Sequence, residues 1–222
     1  MRQLALDVSA PPTPENNFLR SAANAQAVAQ VEDWRNWPGG KLVLIGPPGS
    51  GKSHLAMRWA EEVGALVVTG TPGPEMLEAG NLVLEDAFHA AGDRDREEAL
   101  FHAHNAVLGQ GGRLLVTGRT PPRDWGLVLP DLASRLEAAG LARLDPPDEA
   151  LLTGVLLKLF YDRQIRPKPG LVGYLMRRID RSFAGAQAIV AALDAAGMEQ
   201  GRAVGVRLAK RLLEGGQDAA PS

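Results

Sequence analysis

The chain of 222 residues contains no cysteine. Disulfide staples, thiolate metal sites and a cysteine nucleophile are excluded together, and the residue supply suits a reducing compartment. Aromatic residues make up only 5% of the chain. Charge of one sign is also missing: the formal net charge is -2, with a pI near 6.1. No general electrostatic pull toward nucleic acid follows from such a balance, so DNA binding would need a local basic patch. No run approaches the roughly 18 apolar residues of a membrane span. Met1 to Ala10 carries one arginine and an apolar stretch broken by Asp7, short of a signal peptide. The expectation is a cytoplasmic protein with no membrane partner. The histidines, His54, His89, His102 and His104, lack zinc-site spacing, which leaves magnesium as the one metal in view.

What is present is an ordinary globular composition, 45% apolar and 23% charged. At roughly 100–200 residues per domain the length allows one domain and a small satellite. Residues 1–15 read as a tail and a proline-rich linker, Pro11, Pro12 and Pro14 favouring extended backbone. A helix is expected at about 21–34. Strands are expected at 41–45, 65–69, 82–86, 113–117 and 141–144, with helices at 52–63, 94–108 and 130–138 between them. Strands alternating with helices predict a parallel sheet covered on both faces, a three-layer α/β base over 16–147. After Asp145-Pro146-Pro147 the strands stop. Helical patterns at 149–163, 170–180, 182–195 and 201–214 predict a small all-α lid over 148–214, and 215–222 reads as a disordered tail.

The strand at 41–45 runs into Gly46-Pro-Pro-Gly-Ser-Gly-Lys-Ser53, which matches GxxxxGK[ST]. Phosphate binding needs backbone N–H groups turned to one point, which glycines permit, and the positive end of the following helix reinforces them. Pro48, Gly49, Ser50, Gly51, Lys52 and Ser53 form the expected nucleotide cradle, with His54 packing beside it. Lys52 is expected at the β- and γ-phosphates and Ser53 at magnesium. The ligand is ADP or ATP with Mg2+.

Glu85 and Asp86 close the third strand, where a P-loop protein holds its magnesium-coordinating and water-activating carboxylates. Thr117 ends the fourth strand, either sensing the γ-phosphate or serving only as a β-branched strand residue. Arg135, within Leu129-Pro-Asp-Leu-Ala-Ser-Arg-Leu136, has two readings: an arginine finger for a neighbouring molecule, or the partner of Asp131 four residues earlier in a surface ion pair. Arg181 begins a lid helix, and Arg177 and Arg178 compete with it for any role at the nucleotide. Gln3-Leu-Ala-Leu6 suits an extended peptide docking into a partner, or a disordered start.

Taken together these segments resemble the DnaA/Hda family of AAA+ replication proteins, especially its shorter regulatory branch, over about residues 3–212. The P-loop carries the likeness, along with Asn17-Phe18-Leu19, Leu115-Val-Thr-Gly-Arg-Thr-Pro-Pro122, Leu129 to Leu136 and Arg181-Ser-Phe-Ala-Gly-Ala-Gln187. The resemblance implies that Phe18 and Leu19 lie by the adenine, that Thr117 belongs to sensor 1, that Arg135 is the finger and that Arg181 is the sensor-2 residue. It also implies that Gln3, Leu4 and Leu6 bind the DNA polymerase III sliding clamp (beta subunit). The implied activity is clamp-dependent stimulation of ATP hydrolysis by DnaA, which represses re-initiation. DnaA and the clamp are then the partners, a homodimer is possible, and direct sequence-specific DNA reading is not expected, since the chain ends after the lid. Glu85 stands where the family usually has Asp, and Arg119 where an acid is common, so the chain's own hydrolysis is left open. A small-molecule kinase and a helicase loader or other DNA-handling AAA+ ATPase are the rival readings.

Overall fold

A computed structural model of the chain describes residues 19–70, 73–200 and 204–215. Its strands are β1 (Lys41–Ile45), β2 (Leu66–Thr69), β3 (Asn81–Glu85), β4 (Arg113–Gly118) and β5 (Gly140–Arg143). Its α-helices are α1 (Ala25–Glu32), α2 (Lys52–Val63), α3 (Arg94–Gly109), α4 (Pro130–Glu137), α5 (Glu149–Asp162), α6 (Leu171–Met176), α7 (Phe183–Gln200) and α8 (Val206–Gly215). The chain divides into two compact units, one over Ala23–Asp145 and one over 146–215 joined by 19–22.

In the first unit all five strands are parallel, in the order β2-β3-β4-β1-β5. β1 is apolar along most of its length and buried throughout, as a central parallel strand requires. Its residues alternate between two cores. Val43 and Ile45 join Leu100 and Val107 of α3 and Leu132 and Leu136 of α4, while the intervening Leu42 and Leu44, equally buried, turn to the opposite face. Helices α1 and α2 contact each other and the sheet, α1 through β5 and α2 through β2, β3 and β4. The expected three-layer α/β base with a five-stranded parallel sheet is therefore present.

Local chemistry fixes the element ends. Asp93 caps α3 by accepting from the Arg96 N–H, Asp148 caps α5 by accepting from the Leu151 N–H, and Pro130 opens α4. The first helix, expected over 21–34, runs only over Ala25–Glu32, and past its end Trp34–Asn36 tighten into a 3-10 turn ahead of Pro38.

The second unit is wholly helical among its described residues and has its own core, with Leu152, Leu156 and Phe160 of α5 against Leu171 and Leu175 of α6, Val190 and Leu193 of α7, and Leu208 of α8. The expected helix over 170–180 stops at Met176. There the chain turns through backbone hydrogen bonds from Arg178 and Ile179 to the Leu175 carbonyl. No helix of the described residues is long and apolar enough to cross a membrane.

Candidate functional site

The loop from Gly46 to Gly51 leaves the end of β1 and enters α2. Gly49 and Gly51 have φ of 71° and 93°, left-handed values that other residues adopt only with strain. At Gly46 the constraint is space: a Cβ there would lie 2.3 Å from the Leu144 carbonyl oxygen and 2.9 Å from Ser50 Oγ. Gly51 has no side chain to cap α2, so the first-turn amides, Lys52 and Ser53 among them, have no acceptor inside the helix. Such a helix start is an anion site.

Lys52 is buried and its Nζ donates to the carbonyl oxygens of Gly46 at 2.9 Å and Pro47 at 3.0 Å. Burial lowers its pKa, Asp86 opposes that shift, Arg119 adds to it and Glu85 opposes it. The lysine, both carboxylates and Arg119 thus share one electrostatic neighbourhood. Ser50 is buried, Pro48, Ser53 and His54 are exposed, and Gly49 and Gly51 are intermediate.

The expectation for the acidic pair needs correction. β3 ends at Glu85, and Asp86 lies outside it in the left-handed region, at φ 49° and ψ 42°, opening a 3-10 turn over Ala87–Ala90. Asp is among the few residues that tolerate this conformation, which is uncommon enough outside glycine to mark functional turns. The Asp86 N–H donates to Thr117 Oγ1 at 2.8 Å. Thr117 is buried at the end of β4 and pairs in register with Leu44 of β1, so its hydroxyl ties the acidic turn to the strand beside the phosphate loop.

Two oxygens here, Glu85 Oε1 and Ser50 Oγ, are buried with no hydrogen-bond partner. Buried side-chain polar atoms are mostly paired, so orphans at a phosphate loop suit a ligand that supplies the missing contacts. A carboxylate and the Ser53 hydroxyl are hard oxygen donors of the kind that hold magnesium together with nucleotide phosphates, so the residues fit both groups.

Arg135 lies in the last turn of α4 and is exposed. No ion pair to Asp131 forms among the described residues. The guanidinium instead stands 5.0 Å over the Phe101 ring. Its field reaches Lys41 at the start of β1 and His104 on α3. The phosphate loop leaves the other end of β1, a strand-length away at about 3.3 Å per residue. The structure therefore does not bring Arg135 to this chain's own P-loop.

Arg181 does not begin a helix as expected. It lies in the turn before α7, whose start is capped by Ser182 Oγ accepting from the Gly185 N–H. Arg177, Arg178 and Arg181 are all exposed, and the Arg178 guanidinium stands 4.0 Å over the Tyr174 ring. These residues belong to the helical unit, as does Leu19, which is half-buried. Gln3, Leu4, Leu6 and Phe18 lie outside the described residues.

The sequence signals missed Glu97. It is completely buried on α3, and its carboxylate accepts from the backbone N–H groups of Gly92, Val128 and Leu129. It anchors the segment that leads into α4 and hence Arg135. Its neighbours Arg94, Asp95 and Glu98 make it read as one more solvated helix charge.

No family model matches the sequence. Among curated proteins the chain is similar to the chromosomal replication initiator protein DnaA of Caulobacter vibrioides (strain NA1000 / CB15N), 27% identical over 169 residues, covering 65% of this chain and 34% of that protein. The chain thus spans about a third of the length of that relative. Among solved structures, domain III of Thermotoga maritima DnaA matches with a TM-score of 0.76 at 19% identity, covering 92% of this chain and 97% of that one. AMPPCP-bound DnaA from Aquifex aeolicus matches at 0.70 and 16% identity, covering 93% and 71%. The Thermotoga maritima RuvB Holliday junction branch migration motor matches at 0.65 and 17%, covering 85% and 67%. The fold is the AAA+ P-loop fold in its DnaA-like form.

Proposed function

We propose that the chain is a nucleotide-bound, Hda-like regulator that uses Arg135 to stimulate ATP hydrolysis by DnaA when a DNA-loaded sliding clamp is present. The observation that carries this reading is the placement of Arg135, exposed and without an acidic partner among the described residues, at the end of β1 opposite the phosphate loop. A cation in that place is useless to the nucleotide held by its own loop and free to meet one held by a neighbour. In that role it stabilises charge on the neighbour's γ-phosphate, the work of an arginine finger.

The chain's own nucleotide is then held by Pro48 to Ser53 with His54 beside the loop, by Lys52 at the phosphates and by Arg181, with Phe18 and Leu19 toward the base. Magnesium, held by Ser53 and Glu85, would neutralise phosphate charge there. Glu85 and Asp86 remain the candidates for orienting water, and the Thr117 hydroxyl positions Asp86 through its backbone. The tail residues Gln3, Leu4 and Leu6 supply the clamp contact, the setting is the cytoplasm, and a homodimer would present two tails.

The test is a DnaA ATPase assay with and without DNA-loaded clamp. Wild-type chain is expected to accelerate hydrolysis only with the clamp. Arg135→Ala is expected to keep its own nucleotide and lose most of that acceleration, since fingers contribute about 10³–10⁵ in rate. A variant within about twofold of wild type would overturn the assignment. The DNA-handling alternative, favoured by the likeness to RuvB in fold alone, predicts single-strand DNA binding that needs neither clamp nor DnaA.

A further inference from the structure

We propose that the helical unit carries a docking surface for the phosphate backbone of duplex DNA, indifferent to sequence and formed by Arg166, Lys168, Arg207, Lys210 and Arg211. The inference goes beyond the regulator reading and does not rest on Arg135, so either can fail alone.

The near-neutral total conceals a segregation of charge. Residues 23–145 hold 11 lysines and arginines against 16 aspartates and glutamates, whereas residues 146–215 hold 11 against 7. Several acids of the helical unit are already engaged within it: Asp148 caps α5, Asp162 pairs with Lys158, and Asp194 pairs with Arg163. Cations gather instead at α8. Arg207, Lys210 and Arg211 stand at i, i+3 and i+4, on one face of that helix, and all three are exposed. Lys168 lies against the start of the helix: its N–H donates to the Val204 carbonyl at 3.1 Å, and a Cβ added to Gly205 would lie 3.1 Å from Lys168 Cδ. Arg166 comes two residues earlier, and both are exposed. Arg166, Lys168 and Arg207 form no ion pair among the described residues. Lys210 meets Glu214 at 3.8 Å with both side chains well exposed, a pair of little strength.

Duplex DNA is the occupant these features favour. An anionic membrane needs an apolar helix face to enter it, and the apolar side of α8 is already packed, with Leu208 and Ala209 buried and Leu212 and Leu213 against the same core. Single strands are held by aromatic rings interleaved with cations, and neither α8 nor residues 163–170 contain an aromatic residue. What the face presents is charge alone, which meets phosphates and reads no base edges. A protein working at clamps on DNA meets duplex in that setting.

The experiment is fluorescence anisotropy of the full chain with a labelled duplex, a scrambled duplex and a single strand of equal length, with salt varied from about 50 to 200 mM. Thermal melts check the fold of each variant. Wild type is expected to bind both duplexes alike, with log affinity falling against log salt at a slope of about −4 to −5 for five phosphate contacts. Lys168→Gln with Arg207→Gln should make that slope shallower by about 2 and weaken binding at least about tenfold. Lys168→Glu with Arg207→Glu should abolish it. Arg94→Gln with Arg123→Gln removes as much charge from exposed sites of the first unit and should leave affinity within about twofold, because exposed charges more than a Debye length away are screened. Equal losses from the two glutamine pairs would assign binding to net charge and overturn the surface. Tighter binding to the single strand would overturn the duplex assignment. Capture by phosphatidylglycerol vesicles without DNA binding, or an oligomer that the Lys168 and Arg207 glutamine pair dissociates, would give the face to a membrane or a second copy and equally overturn it. Absence of DNA binding while clamp-dependent stimulation of DnaA persists would sink this inference alone.

Discussion

Lys41 and His104 form a buried basic pair in a chain with few buried charges. Lys41 Nζ approaches His104 Nε2 at 3.3 Å, and His104 Nδ1 approaches Asn105 Oδ1 at 3.1 Å. Both contacts are satisfied by one arrangement, a neutral imidazole with its proton on Nδ1 and Nε2 accepting from the ammonium. Burial pushes the His104 pKa below its ordinary value; the bond to Asn105 opposes this, while Lys41 and Arg135 add to it. Lys41 is likewise lowered, by burial first and Arg135 second. The groups facing the imidazole are thus Lys41 from β1, Asn105 from α3 and Arg135 from α4, with no acid among them to hold a second proton. The folded chain then binds fewer protons at this site than the unfolded chain. Its stability contribution is full above about pH 6.5, the unfolded histidine value, and is lost as pH falls through the lowered folded value. The melting temperature of wild type is expected to drop on the acid side of neutrality, and that of His104→Gln, which cannot titrate, to drop less. Parallel acid slopes from pH 8 to 5 would show that the pair is not the source.

At the scale of elements, α4 depends on a carboxylate in another helix. Glu97 of α3 holds Val128 and Leu129, the residues that enter α4, and Gly92 before α3. Glu97→Gln keeps the shape but replaces one accepting oxygen by an amide donor that faces backbone N–H groups. Leaving such buried donors unsatisfied costs about 1–3 kcal/mol, more when a charged partner is lost. Denaturant unfolding should therefore show a loss of that size, with faster amide exchange at Val128 and Leu129 than in the central strands. Exchange unchanged at those two amides would rule the anchor out. The same elements show what a sequence can and cannot disclose. The strand, loop and helix from Lys41 to Val63 were legible because buried apolar runs, glycine spacing and helical periodicity are local properties of consecutive residues. Glu97 was not, because its partners lie about 30 positions later and nothing local distinguishes a buried acid from its solvated neighbours. Asp86 was read into the strand because an acid after an apolar run continues the pattern, whereas it lies in the left-handed region with its N–H bonded to Thr117 Oγ1, a partner 31 positions away. The choice between an ion pair and a free finger at Arg135 also needed coordinates: spacing allowed the Asp131 pair, and the Phe101 ring displaced it.

At the scale of the whole molecule, the proposed activity needs a means of engaging the clamp. The sequence sets Gln3, Leu4 and Leu6 ahead of Pro11, Pro12 and Pro14, residues whose fixed φ favours extended backbone. Alternating side chains on an extended peptide suit pockets on a partner. Two leucines buried at roughly 1.5–3 kcal/mol each, less the entropy of ordering the peptide, give a contact of micromolar scale at best. Weakness of that order fits a regulator that must act only at clamps retained on DNA. A ring-shaped partner with several equivalent pockets, met by a dimer with two tails, raises the effective affinity without any new contact. Replacing Gln3, Leu4 and Leu6 together by alanine is therefore expected to abolish binding to immobilised clamp in surface plasmon resonance. Nucleotide affinity should be unchanged, because the phosphate loop and Lys52 are untouched. Stimulation of DnaA should fall to the level seen without clamp, while Arg135→Ala, with its tail intact, should bind clamp normally and still fail to stimulate. Clamp binding that survives the triple substitution would remove the tail from the proposal and leave the regulatory reading without its link to ongoing replication.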